Sequence, residues 1–265
     1  MLTSLKLREA LEKHNIDIVV DVSGADLESR NLLSIVHSVG ERRLSRGART
    51  PKLGYIYTSG TWVHGSSNAP VNDLTPVATL DAPTPPARIT AWRPKFEQEV
   101  LATSDVLDSM VIRPALVYGR SSVLWTSLFE PIRTAAAAEA ASVSVAAILD
   151  SRPGIVHVDD VGAGLHAAVD WLPLIAGRGL YPVFDLVTSQ ESMRDILEAA
   201  ARELGFNGTV ELAGVGDDVF MEAMSTSFNG NSGRSKQILG WEPKKIGFVQ
   251  GMDIYAKAWA AGLDG

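Results

Sequence analysis

Apolar positions along this chain follow two alternating periodicities. Short apolar runs at residues 16–22, 53–58 and 108–114 predict buried strands. Segments 2–11, 28–39 and 96–101 instead carry apolar residues at the spacing of amphipathic helices. Strands that alternate with helices are typical of a parallel sheet covered on both faces, so the pattern predicts an α/β fold.

The second half of the chain changes character. Residues 154–158 predict a strand that runs into a helix capped by Asp159 or Asp160, and residues 181–187 predict another strand. A helix over 192–204 should end at Gly205. We therefore expect a parallel-sheet α/β domain over residues 1–182 and a small mixed C-terminal lobe over 183–265, with the chain crossing between the two. The Asn- and Pro-rich stretch 66–86 reads as a long functional loop.

Composition excludes several classes of protein. The 265 residues include no cysteine, which excludes disulfides, a thiolate nucleophile and a cysteine-based zinc site, and the five histidines show no ligand spacing. A formal charge of −7 disfavours nucleic acid as a partner, and no apolar run is long enough for a membrane span. The N-terminus lacks a basic segment followed by an apolar core, so we expect a cytoplasmic protein.

One formal nucleotide-binding pattern is rejected on electrostatic grounds. Gly162, Gly164 and Ala167 match G-x-G-x-x-A, but Asp159 and Asp160 stand just before them and would repel a phosphate. Small residues that let a helix pack closely on the sheet explain these positions better.

Four local strings, taken together, resemble one family. They occur in order at residues 57–65 (YTSGTWVHG), 112–119 (IRPALVYG), 155–161 (IVHVDDV) and 239–243 (LGWEP). The strings are similar to motifs of the extended short-chain dehydrogenase/reductase family, the group of epimerase- and dehydratase-like enzymes. The resemblance implies a doubly wound, Rossmann-like parallel sheet, NAD or NADP as cofactor, and a small carbonyl, alcohol or nucleotide-sugar substrate.

The family's glycine-rich loop has no counterpart at the start of this sequence. By the resemblance, residues 2–11 and 16–25 look like the third crossover helix and the fourth strand. We therefore expect an N-terminally truncated sheet, in which the backbone cradle for the cofactor pyrophosphate is missing and NAD(P) binds weakly or not at all. Such a sheet would expose an apolar strand edge, which favours a partner chain, a homo-oligomer or a truncated gene product over an unpaired monomer.

The family's catalytic Tyr-x-x-x-Lys motif is also altered. An alignment of Lys95 with the family lysine puts Ala91 at the tyrosine position, and an alignment of Arg93 puts Ile89 there. Neither register supplies the phenol that acts as general acid and base in the family.

Candidate site residues follow from the resemblance. The catalytic candidates near the substrate are Ser59, Thr61, Lys95 and His64, the last as a substitute acid/base with a pKa near neutrality or as a packing residue. Ser59 and Thr61 could equally satisfy loop backbone groups, and Lys95 could be a solvated helix cation. The cofactor-binding candidates are Ser23, Gly24, Ala25, Pro114 and Val117.

Two functions remain open at this point. The first is an atypical NAD(P)-dependent oxidoreductase or epimerase-like enzyme with compromised cofactor binding. The second is a non-catalytic member of the same fold that binds a ligand or a partner.

Overall fold

The computed structural model describes residues 4–24, 27–47, 50–245 and 247–263. The strands of this part are β1 (Ile18–Asp21), β2 (Leu53–Thr58), β3 (Ser67–Asn72), β4 (Leu107–Pro114), β5 (Leu116–Tyr118), β6 (Ser142–Val145), β7 (Gly154–His157), β8 (Val183–Leu186), β9 (Ser189–Gln190), β10 (Thr209–Leu212) and β11 (Phe228–Asn231). The helices are α1 (Ser4–Lys13), α2 (Leu27–Leu44), α3 (Arg93–Leu101), α4 (Thr126–Ala137), α5 (Val158–Ile175), α6 (Met193–Glu203), α7 (Val219–Met224), α8 (Gly233–Leu239) and α9 (Met252–Leu263).

A parallel sheet of order β1-β2-β4-β8 organises the molecule. Val20 pairs with Ile56, Ile56 pairs with Met110, and Ile112 pairs with Phe184, so the carboxyl ends of the strands share one edge. The predicted α/β fold with a Rossmann-like parallel sheet is confirmed.

Helices cover both faces of this sheet because successive side chains of each strand point to opposite faces. Tyr55 and Tyr57 of β2 are buried in one cluster with residues of α1, α2 and α3, whereas Ile56 is buried in another cluster with residues of α5. The strand β1 pairs on one side only within the described residues, and Val22 just beyond it is 65% exposed.

A second part packs at the carboxyl edge of the sheet. It contains the parallel pairs β6-β10 and β3-β11, and the helices α4, α6 and α9 share an aromatic core that includes Trp125, Phe129, Phe248 and Trp259. The chain crosses between these parts on both sides of the predicted boundary between residues 182 and 183. The strand β8 follows that boundary yet pairs with β4 in the main sheet, and α4 precedes it yet packs in the lobe.

Local expectations are corrected at two places. The stretch 66–86 contains β3, which pairs with β11 over 150 residues later in the chain. The N-cap of α5 is His157, whose Nδ1 accepts the backbone N–H of Asp159 at 3.0 Å, and neither predicted aspartate caps the helix. Asp160 instead accepts the backbone N–H groups of Lys244 and Lys245, which ties α5 to the C-terminal lobe. In the described part of the chain no helix has the length and apolar character to cross a bilayer.

Candidate functional site

The loop after β1 lies at the carboxyl edge of the sheet, beside the ends of β2 and β4. We call the groups at this edge the crevice, and they belong to Ser23, Gly24, Tyr57, Ser59, Gly60, Arg93 and Pro114. Asp21 is buried and accepts the N–H and the hydroxyl of Ser23 at 2.9 and 2.6 Å, together with the phenol of Tyr55 at 2.9 Å. These bonds fix the turn that leads to Gly24, whose φ of +94° favours glycine. The predicted cofactor residues Ser23 and Gly24 therefore lie at this edge, while Ala25 falls outside the described residues.

The end of β2 forms the floor of the crevice. The backbone N–H of Ser59 donates to the carbonyl of Ile112 at 2.8 Å, which extends the pairing of β2 with β4. Tyr57 and Ser59 are buried, and their hydroxyls are neighbours that form no hydrogen bond with any other described group. Burial raises the pKa of the Tyr57 phenol to about 12, so this group is a neutral donor at physiological pH.

Arg93 brings a positive charge to the same place. Its Nη2 lies 3.5 Å from the carbonyl oxygen of Gly24, and its Nη1 lies 2.9 Å from where a Cβ on Gly60 would stand. The Nε atom is buried without a partner, and the guanidinium forms no ion pair with any residue that the structure describes. Burial lowers the pKa of Arg93, because the charged form loses solvation there.

Among the described residues Lys95 forms no hydrogen bond or ion pair with the groups of the crevice. It is exposed on α3, whereas Arg93 and Pro94 form the first turn of the same helix beside the strand ends. Two residues correspond to about 200° around a helix axis, so Arg93 and Lys95 point in different directions. The structure thus favours the register that puts Arg93 at the lysine position and Ile89 at the tyrosine position.

His64 is buried behind the crevice rather than in it. Its Nε2 lies 2.9 Å from Oδ2 of Asp185, and its ring stacks on Phe228 at 5.4 Å between centroids. Asp185 also lies 3.7 Å from Arg113, which forms a bidentate ion pair with Glu97. The side chains of His64 and Asp185 are 1% and 0% exposed, so this geometry matches the packing interpretation of His64.

The remaining predicted residues surround the crevice to different extents. Pro114 ends β4, and its carbonyl oxygen lies 3.6 Å from the Cβ position of Gly60. Thr61 is buried in the short 3-10 turn Thr61–His64 that follows. Val117 of β5 is half-buried and packs against the cluster of the main sheet and α5, while its carbonyl accepts the indole N–H of Trp125 at 2.9 Å.

Two residues of the crevice were missed from the sequence as site candidates, Tyr57 and Arg93. The available signal for Arg93 was Pro94, since proline at the first turn of a helix marks where the helix begins and which residue faces the strand ends. For Tyr57 the sequence offers only its position near a strand end.

Comparison with known proteins supports the fold. No family model and no curated protein matches the sequence. Among solved structures, a putative epimerase from Burkholderia cenocepacia J2315 is similar, with a TM-score of 0.68, 18% identity, and 97% of this chain and 80% of that chain covered. The dTDP-glucose 4,6-dehydratase from Bacillus anthracis, in complex with NAD, has a TM-score of 0.66 and 17% identity. The match covers 98% of this chain and 77% of that chain. The UDP-glucuronic acid 4-epimerase from Bacillus cereus, in complex with UDP-glucuronic acid and NAD, has a TM-score of 0.66 and 14% identity. The match covers 98% of this chain and 80% of that chain.

The chain has the fold of these dehydratase and epimerase structures. The fold resemblance suggested by the four sequence strings is thereby confirmed over nearly the whole chain. Identities of 14–18% establish the fold alone, so activity and ligands have to be argued from the crevice.

Proposed function

We propose that this chain is an atypical NAD(P)-linked oxidoreductase or epimerase-like protein that takes a small carbonyl, alcohol or nucleotide-sugar ligand in the crevice at the carboxyl edge of the sheet. The observation that carries the proposal is the set of unpartnered donors at that edge, from Tyr57, Ser59 and Arg93. Ligands of open α/β sheets bind outside the carboxyl ends of the strands. The complexes of similar folds with NAD and with UDP-glucuronic acid support this choice of ligand class.

The described residues fit one end of a nicotinamide dinucleotide better than the other. Gly24 allows close approach of a ribose, Ser23 offers a hydroxyl, and Pro114 offers an apolar contact for a planar ring. The pyrophosphate end fits less well among the described residues, because the segment between β1 and α2 contains the single glycine Gly24 and not a glycine-rich turn. When bound, the cofactor would supply hydride transfer, and weak binding is expected.

A second candidate is a non-catalytic ligand-binding protein of the same fold. It is favoured by the absence of an evident proton-transfer group in the described crevice. Gly60 and Ile89 stand where the family carries a hydroxyl and a phenol, and Tyr57 holds its proton up to a pH of about 12. An efficient general acid or base has a pKa near the working pH.

Titration with NADH and NADPH tests the proposal. Energy transfer from tryptophan to the nicotinamide and the thermal midpoint should both report saturable binding, since a ligand at 100 times its dissociation constant stabilises the native state by about 2.7 kcal/mol. Turnover of a nucleotide-sugar panel with the cofactor present separates the two candidates. Binding without turnover supports the non-catalytic candidate, and no binding of either nucleotide to a folded sample contradicts the NAD(P)-linked proposal.

Two glycines provide a matched pair of variants for locating the site. Gly24 and Gly177 both have positive φ and open space around the Cβ position, but they lie at opposite ends of the sheet. Asparagine tolerates this backbone conformation, so both variants should fold. Gly24→Asn should weaken nucleotide binding, and Gly177→Asn should leave it unchanged.

A further inference from the structure

The unpartnered polar groups of the crevice are all hydrogen-bond donors, which the proposed function does not require. Ten buried side-chain polar atoms of the described residues lack a hydrogen-bond partner of ordinary geometry, and three of them, on Tyr57, Ser59 and Arg93, belong to the crevice. All three atoms can donate a hydrogen bond. A buried unsatisfied donor is costly and is normally paired in a native structure, so this concentration points to a ligand that accepts hydrogen bonds.

The charge of Arg93 further favours a ligand that is an anion. Two other arginines with limited exposure have carboxylate partners, since Arg113 pairs with Glu97 and Arg234 pairs with Asp73 at 3.0 Å. Arg8 of α1 shares with Arg93 a buried Nε without a partner, but it lies far from the strand ends in sequence and on another helix. Arg93 has the Gly24 carbonyl at 3.5 Å, the outer limit of a hydrogen bond, and the Trp92 ring at 5.9 Å. The charge of Glu97 acts on it as well, but that carboxylate is paired with Arg113. A partly desolvated guanidinium that forms no ion pair favours an anion, which it binds through two parallel N–H groups.

The surrounding backbone leaves room for such an anion. Gly60 carries no side chain, and a Cβ there would stand 2.9 Å from Arg93 Nη1, so the glycine allows the guanidinium to lie across the end of β2. Tyr57 is a neighbour of both Arg93 and Ser59, since the charge of the first and the hydroxyl of the second both act on its phenol. A guanidinium and neighbouring hydroxyl donors thus converge on one crevice.

We propose that the ligand group reaching Arg93 is an oxyanion, a carboxylate or a phosphate, held by the Arg93 guanidinium together with the Ser59 hydroxyl. This inference rests on the proposed function for the place of the ligand, and it narrows the ligand class to molecules that carry an acid group. The anion comes either from a carboxylate of the substrate or from a phosphate of a nucleotide.

Matched probes test the charge requirement. Glucuronate and glucose are comparable sugars that differ in a carboxylate, and inorganic phosphate is the simplest phosphate probe. We expect glucuronate or phosphate, but not glucose, to raise the thermal midpoint and to shift one arginine Nε–H resonance in a ¹H–¹⁵N spectrum. The inference would be overturned if glucose bound as tightly as glucuronate and phosphate. It would also be overturned if none of the three probes shifted an arginine resonance.

Variants of the crevice test the residue assignment. Arg93→Gln should weaken binding of the anion by more than about tenfold, because hydrogen bonds to charged groups contribute about 1.5–3 kcal/mol. Arg93→Lys should recover part of that loss, and Ser59→Ala should weaken binding less than Arg93→Gln does. The control is Lys95→Gln, which removes an exposed cation from the same helix. Equal losses in Lys95→Gln and Arg93→Gln would mean non-specific attraction and would refute the assignment.

Binding of NADH, measured alongside, keeps this inference separable from the proposed function. If NADH binds while phosphate and glucuronate do not, the oxyanion inference fails and the NAD(P)-linked proposal stands. If either anion binds through Arg93 while NADH does not, the inference stands and the cofactor proposal fails. If both bind, displacement of NADH by phosphate assigns the anion to the nucleotide, and simultaneous binding of glucuronate and NADH assigns it to the substrate.

Discussion

Replacement of Arg93 by methionine should stabilise the ligand-free protein while it abolishes anion binding. The buried Nε without a partner costs about 1–3 kcal/mol, and methionine removes it while keeping an unbranched apolar stem. The variant loses the contact of the guanidinium with the Trp92 ring at 5.9 Å, which contributes about 0.5–1 kcal/mol. The 3.5 Å contact with Gly24 is too long to contribute much.

The net expectation is a stabilisation of about 1 kcal/mol, or a rise in Tm of about 2–4 °C for a chain of this size. Urea unfolding and a thermal scan, both without ligand, measure it. Lys95→Met is the matched control, because Lys95 is exposed and its replacement should change stability by less than about 0.5 kcal/mol. A loss of more than about 1 kcal/mol in Arg93→Met would refute the reasoning, since it would show that the guanidinium is satisfied within the protein.

Three further predictions concern stability. Glu97→Gln should destabilise the protein by about 3–5 kcal/mol in urea unfolding, because it removes the charge of the carboxylate that holds the buried Arg113 in a bidentate ion pair; a loss below about 1 kcal/mol would contradict this. Gly65→Ala should cost more than about 3 kcal/mol, since its Cβ would overlap the carbonyl of Pro85, whereas Gly177→Ala with a similar φ and open space should cost about 1 kcal/mol; equal losses would refute the steric argument. The free energy of unfolding of the wild type should fall by about 3 kcal/mol between pH 10 and 12 because of Tyr57, since the unfolded phenol ionises near pH 10 while the folded phenol stays neutral to about 12. The Tyr57→Phe variant should lack this part of the loss. Parallel curves of unfolding free energy against pH for the two proteins would contradict the prediction.

The sheet was predictable because its signal is local. Each strand of the main sheet is a short apolar run. Along β2 and β4 the side chains on both faces of the sheet are buried, which is what a continuous apolar run predicts. The helix caps were less predictable, since several polar residues near the start of α5 could accept the free N–H groups. His157 was not among the residues proposed, because histidine is a less common cap than aspartate.

The crevice could be predicted only in part because its contacts join distant parts of the chain. Gly24 and Arg93 are 69 residues apart, and His64 and Asp185 are 121 residues apart. Periodicity carries no information on such pairings. The resemblance supplied the region of Ser59, but the choice between Lys95 and Arg93 needed the direction in which each side chain leaves α3.

A crystal structure of the protein soaked with NADH and glucuronate tests the central claim most directly, namely that the carboxyl edge of the sheet is the ligand site. The account predicts density for a ligand between Gly24 and Pro114, with an oxyanion against Arg93. Density for either ligand at another place, with the crevice left to water, would contradict it.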